Sequence, residues 1–376
     1  MKYVILGLSI TSSWGNGHAT TYRGLVKEMV ARGHDVLFLE RDVPWYASQR
    51  DLPEPPFGRT VLYDDLAQLM REHEPSVREA DVVIVGSYLP DGIEVGRWVT
   101  RNARGITAFY DIDTPVTLAG LLAGKVSYLE RSLIPRFDLY LSFSGGPTLE
   151  RLEREFGAQR ARPLYCSVDP TLYVPERCPE RWALGYLGTY SDDRQPTVET
   201  LLLAPAARLP GQSFIIAGAQ YPERLQWPTN VESVEHIAPA DHPRFYSAQR
   251  YTLNVTRAAM VRAGHSPSVR LFEAAACGTP IISDAWEGID EVLTPGSEIL
   301  IARGTSDVLA VLNDMSERER SELASRARRR VLREHTAANR AAALDAYVRE
   351  ARAGQSDRVQ PPHERVAVGA TEESVS

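Results

Sequence analysis

Along the first 165 residues, short runs of Val, Ile, Leu and Tyr alternate with stretches of helical periodicity. YVILGLSI (3–10), DVLFLE (35–40), DVVIVGS (81–87), GITAFYD (105–111), DLYLSF (138–143) and ARPLYC (161–166) are apolar nearly throughout rather than at every second position. That pattern predicts parallel strands covered on both faces. HATTYRGLVKEMVARG and PTLERLEREFG read as helices between them, stopped by Gly33 and Gly157. After a proline-rich link, CSVDPTLYVPERCPERW, a second series begins. Its strands are expected at 182–190, 213–219, 230–235, 251–256, 279–285 and 298–302, with helices at 194–207, 241–249, 266–277 and 304–313. The alternation predicts an α/β chain of two Rossmann-like, doubly wound domains, 1–170 and 180–315. Residues 316–352, rich in Arg, Ala and Glu, are expected to form helices that cross back onto the first domain. The polar tail 353–376 has no apolar periodicity and is expected to be disordered.

The remaining bounds come from length and charge. A chain of 376 residues accommodates two cores. Its formal net charge of −7 argues against non-specific binding to nucleic acid or a membrane surface, both of which need a basic face. No apolar run approaches the roughly 18 residues that span a bilayer, and MKYVILGLSI is too short for a secretory leader, so it reads as the first buried strand. Cys166, Cys178 and Cys277 form no CxxC pair and have no histidine at metal-ligand spacing. Their odd number predicts reduced thiols and a cytoplasmic setting.

Candidate chemistry gathers after strands. In HSPSVRLFEAAACGTPIISDAWEG (265–288), Ser266 reads as a helix N-cap, Pro267 as the first helical residue and Gly278 as the residue just past the end. Arg270 and Glu273 share one helical face, with Leu271, Phe272 and Ala275 pointing elsewhere. A carboxylate roughly 10 Å along a helix whose N-terminus faces a diphosphate can accept hydrogen bonds from ribose hydroxyls. The alternative is a surface Arg–Glu pair beside an alanine-rich packing face.

In YLGTYSDDR, Gly188 and Thr189 offer donors and Arg194 a cation to a diphosphate. Arg257, ending the strand LNVTR, points into the crevice of such a sheet. His236 and Ile237 follow another strand, and His236 reads equally as a core histidine. Gly15-Asn16-Gly17-His18 breaks the chain before a helix, yet lacks the third glycine of GxGxxG and the Lys-Ser/Thr of a P-loop. A neutral His18 at that helix start suits proton abstraction from a hydroxyl. Asp111 and Asp113 in FYDIDTPVT read as partners for that histidine, as a helix cap or as a Mg²⁺ pair. Gly145-Gly146 in SFSGGP reads as the acceptor side, as a donor contact or as an ordinary small-residue turn.

SVRLFEAAACGTPIISD resembles the donor-site helix of GT-B glycosyltransferases, in which EAxACGxPV contains the ribose-binding Glu. PSVRLFEAAACGTP together with DAWEG and EILIA is closest to the CgeB-like, spore-maturation branch among the group 1 glycosyltransferases. The likeness is specific over 250–305 and elsewhere rests on two-domain architecture. It implies a nucleotide diphosphate-sugar donor held by the second domain, with Glu273 on the ribose and His236 and Ile237 at the base. Gly188, Thr189, Arg194, Arg257, Ser268, Arg270 and Leu271 complete the donor set. Gly15 and Gly17 would reach across the cleft to the transferred sugar, and His18, oriented by Asp111 or Asp113, would serve as base. The acceptor would be a hydroxyl on a small molecule, glycan or protein, with no cofactor and no required divalent metal. His265 occupies the place of a second Glu in the retaining branch, which leaves the stereochemistry open. The rival readings are a nucleotide-sugar epimerase, a phosphorylase and a non-catalytic nucleotide-sugar-binding protein. Lys125 is the last lysine, which disfavours a pyridoxal-dependent phosphorylase.

Overall fold

The computed structural model describes residues 1–15 and 17–359. Among the described residues, the first domain is a seven-stranded sheet of β1 (Lys2–Gly7), β2 (Asp35–Arg41), β3 (Arg59–Tyr63), β4 (Val82–Gly86), β5 (Ile106–Asp111), β6 (Leu139–Ser142) and β7 (Ala161–Pro163). The order is β3-β2-β1-β4-β5-β6-β7, parallel throughout. The second sheet contains β8 (Trp182–Leu187), β9 (Phe214–Ala217), β10 (Val231–Val234), β11 (Gln249–Asn254), β12 (Ile281–Ser283) and β13 (Leu300–Ile301), in the order β10-β9-β8-β11-β12-β13, again parallel. Strand order therefore reverses between β1 and β4 in one domain and between β8 and β11 in the other. Loops diverge at such points, and their carboxyl ends open a crevice.

Both faces of β1, β4 and β5 are buried, which explains their unbroken apolar sequences. The strand the sequence pattern misses is β3, RTVLY, which lies at the edge and is only partly covered. An edge strand needs less apolar side chain, and the prolines just before it read as loop.

The helix expected from Ser266 begins three residues later, at Val269, with Ser268 in the N-cap position. Ser266 is fully buried and lies against Ser144 of the first domain, Oγ to Oγ 2.6 Å, while its hydroxyl also bonds the Gly264 carbonyl at 2.7 Å. Its side chain is committed to the domain contact and so does not cap.

The two C-terminal helices part company. Glu317–Glu334 opens with a Ser316/Glu319 capping box and stays on the second domain, where Arg328 Nε donates to the Ala276 carbonyl at 2.9 Å. Only the helix Ala337–Val359 crosses to the first domain, where Arg340 Nε donates to the carbonyls of Tyr165 (3.1 Å) and Cys166 (3.2 Å). Asp345 is buried there and accepts from Arg32 Nε (2.8 Å) and Tyr3 Oη (3.4 Å), with His34 Nε2 at 2.8 Å. Helix continues to Val359, past the expected boundary at 352, and 360–376 lie outside the described residues. Among the described residues no helix is long and apolar enough to cross a membrane.

Removing a buried acid strands its donors. Asp345→Ala is expected to lower unfolding free energy by about 2–4 kcal/mol, read from the urea midpoint at constant m-value.

Candidate active site between the domains

The loop after β1 is shaped by two carboxylates. Glu40, fully buried at the end of β2, accepts from Ile10 N (2.6 Å), Thr11 N (3.0 Å), Thr11 Oγ1 (2.6 Å) and Ser9 Oγ (3.1 Å). Asp51 accepts from Ser13 N and Oγ (2.8 and 3.0 Å) and from both Arg23 terminal nitrogens (2.8 and 2.9 Å). Burial works to raise its pKa, but Arg23 and Ser13 outweigh it and bring the value down to about 2. The loop so held presents Gly15 and Gly17 to the cleft. Gly15 has φ +66°, a conformation suited to glycine, and a Cβ on either residue would meet no protein atom within 4 Å. Their bare backbone faces open cleft.

His18 opens the helix His18–Ala31 and is 9% exposed, its ring edge-on to Tyr88 at 5.5 Å. Burial lowers its pKa to about 4, so the imidazole is neutral near pH 7. Asp113 Oδ2 accepts from Tyr88 Oη (2.8 Å) and lies 3.5 Å from Arg257 Nη1 of the opposite domain. Its side chain makes no helix cap. Burial raises the pKa of Asp113, opposed by Arg257 and Tyr88. Tyr88 itself sits at φ +62°, a strained conformation for a bulky residue.

Asp111 requires a correction. It is fully buried and accepts from Tyr140 Oη (2.6 Å), Thr117 Oγ1 (2.8 Å) and Asp113 N (3.1 Å). Burial raises it to about 6 against those bonds. Facing inward, it pins the turn that carries Asp113 and does not line the cleft. The two carboxylates diverge rather than pair, and among the described residues no group of three or more His, Cys, Asp or Glu could hold a metal ion.

Across the cleft, Arg270 is buried rather than paired with Glu273 on the surface. Its Nε donates to the Leu187 carbonyl (2.6 Å), its Nη1 to Asn254 Oδ1 (2.8 Å), and its guanidinium lies 4.9 Å from the Tyr186 ring centroid. Ser268 Oγ donates to the same Asn254 oxygen at 2.7 Å. Gly188 lies against this cluster so closely that a Cβ would come within 2.5 Å of Tyr186 Oη. Arg194 donates from Nε to Ser191 Oγ (2.9 Å) and from Nη2 to the Thr189 carbonyl. Leu271 is a second correction: its side chain is fully buried in the core and its N–H is bonded to the Ser268 carbonyl (3.1 Å).

Glu273, 3% exposed, accepts from Tyr246 Oη at 3.0 Å and lies 3.7 Å from His242 Nδ1. Burial works to raise its pKa, but His242, Tyr173 and Tyr246 outweigh it and hold the carboxyl below its usual range. His242 Nε2 in turn reaches the Ile237 carbonyl at 3.2 Å. It thus links the acid to the loop after β10. Sequence reasoning misses His242, since only its place at a helix start marks it. His236 is exposed at the cleft, against the core reading.

Two cavities merge here. One, about 210 Å³, is lined by Gly15 and Gly17 on one side and by Gly188, Thr189, His236, Ile237, Arg270 and Glu273 on the other. The second, about 530 Å³, adds His18, Tyr88 and Asp113 from the first domain and Arg194, Arg257 and Ser268 from the second. Gly15, Gly17, Thr189 and Arg270 belong to both. Of the candidate donor and catalytic residues, Asp111 and Leu271 do not border this cleft and the others do. Gly146 does not; it packs on His265, whose ring a Cβ would approach to 2.4 Å.

Residues 194–346 match the family model described as glycosyl transferase-like. The fold is similar to that of sucrose-phosphate synthase from Thermosynechococcus elongatus (TM-score 0.67, 17% identity, covering 94% of this chain and 100% of that one). It is also similar to Anabaena HepE in complex with UDP and glucose (0.70, 14%, 93% and 100%) and to an alpha-glucosyltransferase in complex with UDP (0.68, 11%, 93% and 100%). No curated protein matches the sequence. The chain has the GT-B fold, and residues 194–346 are glycosyl transferase-like.

In this GT-B fold two buried histidines keep their neutral form, with His335 lowered to about 3 by burial, Arg340 and Arg330. Their folded pKa values lie below the ordinary 6.5. Protons therefore bind the unfolded chain first as pH falls. The contribution is fully present above pH 6.5 and drains away toward pH 4 and below. His18→Asn is expected to flatten the fall in stability between pH 6.5 and 4 by on the order of 3 kcal/mol, measured by urea unfolding across that range.

Proposed function

We propose that this chain is a glycosyltransferase that moves a sugar from a uridine diphosphate-sugar donor, seated on the second domain, to a hydroxyl presented from the first. The observation that carries this reading is a division of labour across one cleft. Buried Glu273 and the loop His236–Ile237 share the smaller cavity with Arg270, Arg194 and Arg257 border the larger, and neutral His18 stands opposite. The first arrangement suits a nucleoside, the arginines a diphosphate, and the last an acceptor hydroxyl. The UDP held by the structurally similar HepE and alpha-glucosyltransferase supports the choice of base. The CgeB-like branch is the reading favoured by Arg270 preceding Glu273 and by DAWEG. Three free cysteines, Cys166, Cys178 and Cys277, accord with a reducing, cytoplasmic setting.

In the proposed reaction the bond from the anomeric carbon to the β-phosphate oxygen breaks and a bond to the acceptor oxygen forms. The pair of electrons leaves with the diphosphate, whose growing charge meets Arg257, Arg194 and the guanidinium edge of Arg270. The acceptor proton passes to His18, and Asp113, linked through Tyr88, supplies a nearby negative charge that favours the imidazolium. Because arginines already carry the positive charge at the diphosphate, we propose that no divalent metal is required. Turnover is accordingly expected to persist in excess EDTA.

Two variants separate the halves of the cleft. Glu273→Ala is expected to raise the Kd for UDP about 10-fold or more, since a ribose hydroxyl loses a charged acceptor. His18→Ala is expected to leave that Kd in place while lowering kcat about 100-fold or more. Calorimetric titration and a UDP-release assay read the two effects. Unchanged UDP affinity in the Glu273 variant overturns the donor assignment, and full turnover without His18 removes the base.

A further inference from the structure

Resting on the donor reading above, we infer that the acceptor is an uncharged hydroxyl compound with a flat, apolar skeleton, bound on the first-domain wall of the larger cavity. That wall is formed by Leu8, Tyr46, Tyr88, Ile112 and Phe143 around His18. Asp113 is the one charged side chain of the first domain among the described residues lining it, and it is already engaged by Tyr88 and Arg257. His18 adds no charge near pH 7.

Every cation bordering the cavity, Arg194, Arg257 and Arg270, comes from the second domain, where the diphosphate would lie. The first domain's own arginines near the loop are committed elsewhere, Arg23 to Asp51 and Arg50 to Asp42. A phosphorylated or carboxylated acceptor would therefore meet a wall with no partner for its charge, at a desolvation cost that apolar contacts do not return. An oligosaccharide would leave most of its hydroxyls facing hydrocarbon, whereas a flat apolar ring system loses only water.

The rim supports the same occupant. Trp14, 42% exposed, lines the adjoining cavity, and Trp45, 55% exposed, stands beside Tyr46 with ring centroids 6.1 Å apart. The exposed Trp14 indole on the adjoining cavity offers large apolar area for stacking on a flat ligand. The distance from this wall to the arginines is short enough that Arg257 reaches Asp113, so an acceptor held there lies next to the donor's reacting end.

The test uses 2-naphthol and glucose 6-phosphate as acceptor probes, each titrated calorimetrically into the full chain with and without UDP. The expected result is 2-naphthol binding with a Kd below about 1 mM, at least 10-fold tighter than glucose 6-phosphate. Leu8→Arg, which places a cation on the wall, is expected to weaken 2-naphthol at least 10-fold while UDP affinity stays put. Preference for glucose 6-phosphate, or no 2-naphthol binding at 1 mM, overturns the proposal. Equal 2-naphthol affinity in a Leu8→Arg protein that still binds UDP overturns it as well. Should that variant fail to fold, the two probes on the unaltered chain decide. Loss of UDP binding alone would strike the donor reading and leave the 2-naphthol result standing on its own.

Discussion

Arg270 joins chain segments that lie far apart in sequence: the carbonyl of Leu187 at the end of β8, the side chain of Asn254 at the end of β11, and the first turn of its own helix. Those two strands flank the point where the sheet order reverses, so a single guanidinium spans the mouth of the crevice. Buried, it must have its donors satisfied, and the acceptors it finds fix the positions of the loops that face the cleft. Tyr186 lies against its face and Gly188 is pared back to make room. The same cation is thus a structural clasp and part of the positive lining of the cleft. This wall of the cleft owes its shape to a charge that folding alone has little reason to bury.

Specific polar contacts join the domains. Gly145 N donates to the His265 carbonyl at 2.9 Å, Ser144 faces Ser266, and Arg257 approaches Asp113. His265 takes φ +44°, and its ring fills the space between Gly146 and Gly288, where no Cβ fits. The residue that departs from the retaining branch's glutamate thus serves as an interdomain wedge. In that position it is directed at the first domain and at Glu291 (3.1 Å).

What could be read in advance follows from how local each signal is. Strands buried on both faces announce themselves by composition, and β3 hides because an edge needs little of it. Arg270 and Glu273 were legible as a pair because helical spacing alone places them on one face. Leu271 failed for the same reason turned round, being about 100° further along the helix and so facing the core. Asp111 and Asp113 share a strand face by alternation, but the chain turns at Asp113, with ψ +41°, and only the second acid swings to the cleft. His242 belongs to the site through contacts with residues 5 and 31 positions away, and no short motif records that.

The return of helix Ala337–Val359 to the first domain has a consequence for biosynthesis. During translation the first domain's strands are all made by residue 163, yet Arg32, His34 and Tyr3 wait for Asp345 to leave the ribosome. The nascent amino-terminal half must therefore dwell with an uncovered helix face while the whole second domain is made. The contact between helix Ala337–Val359 and the first domain therefore forms only after the second domain has been made.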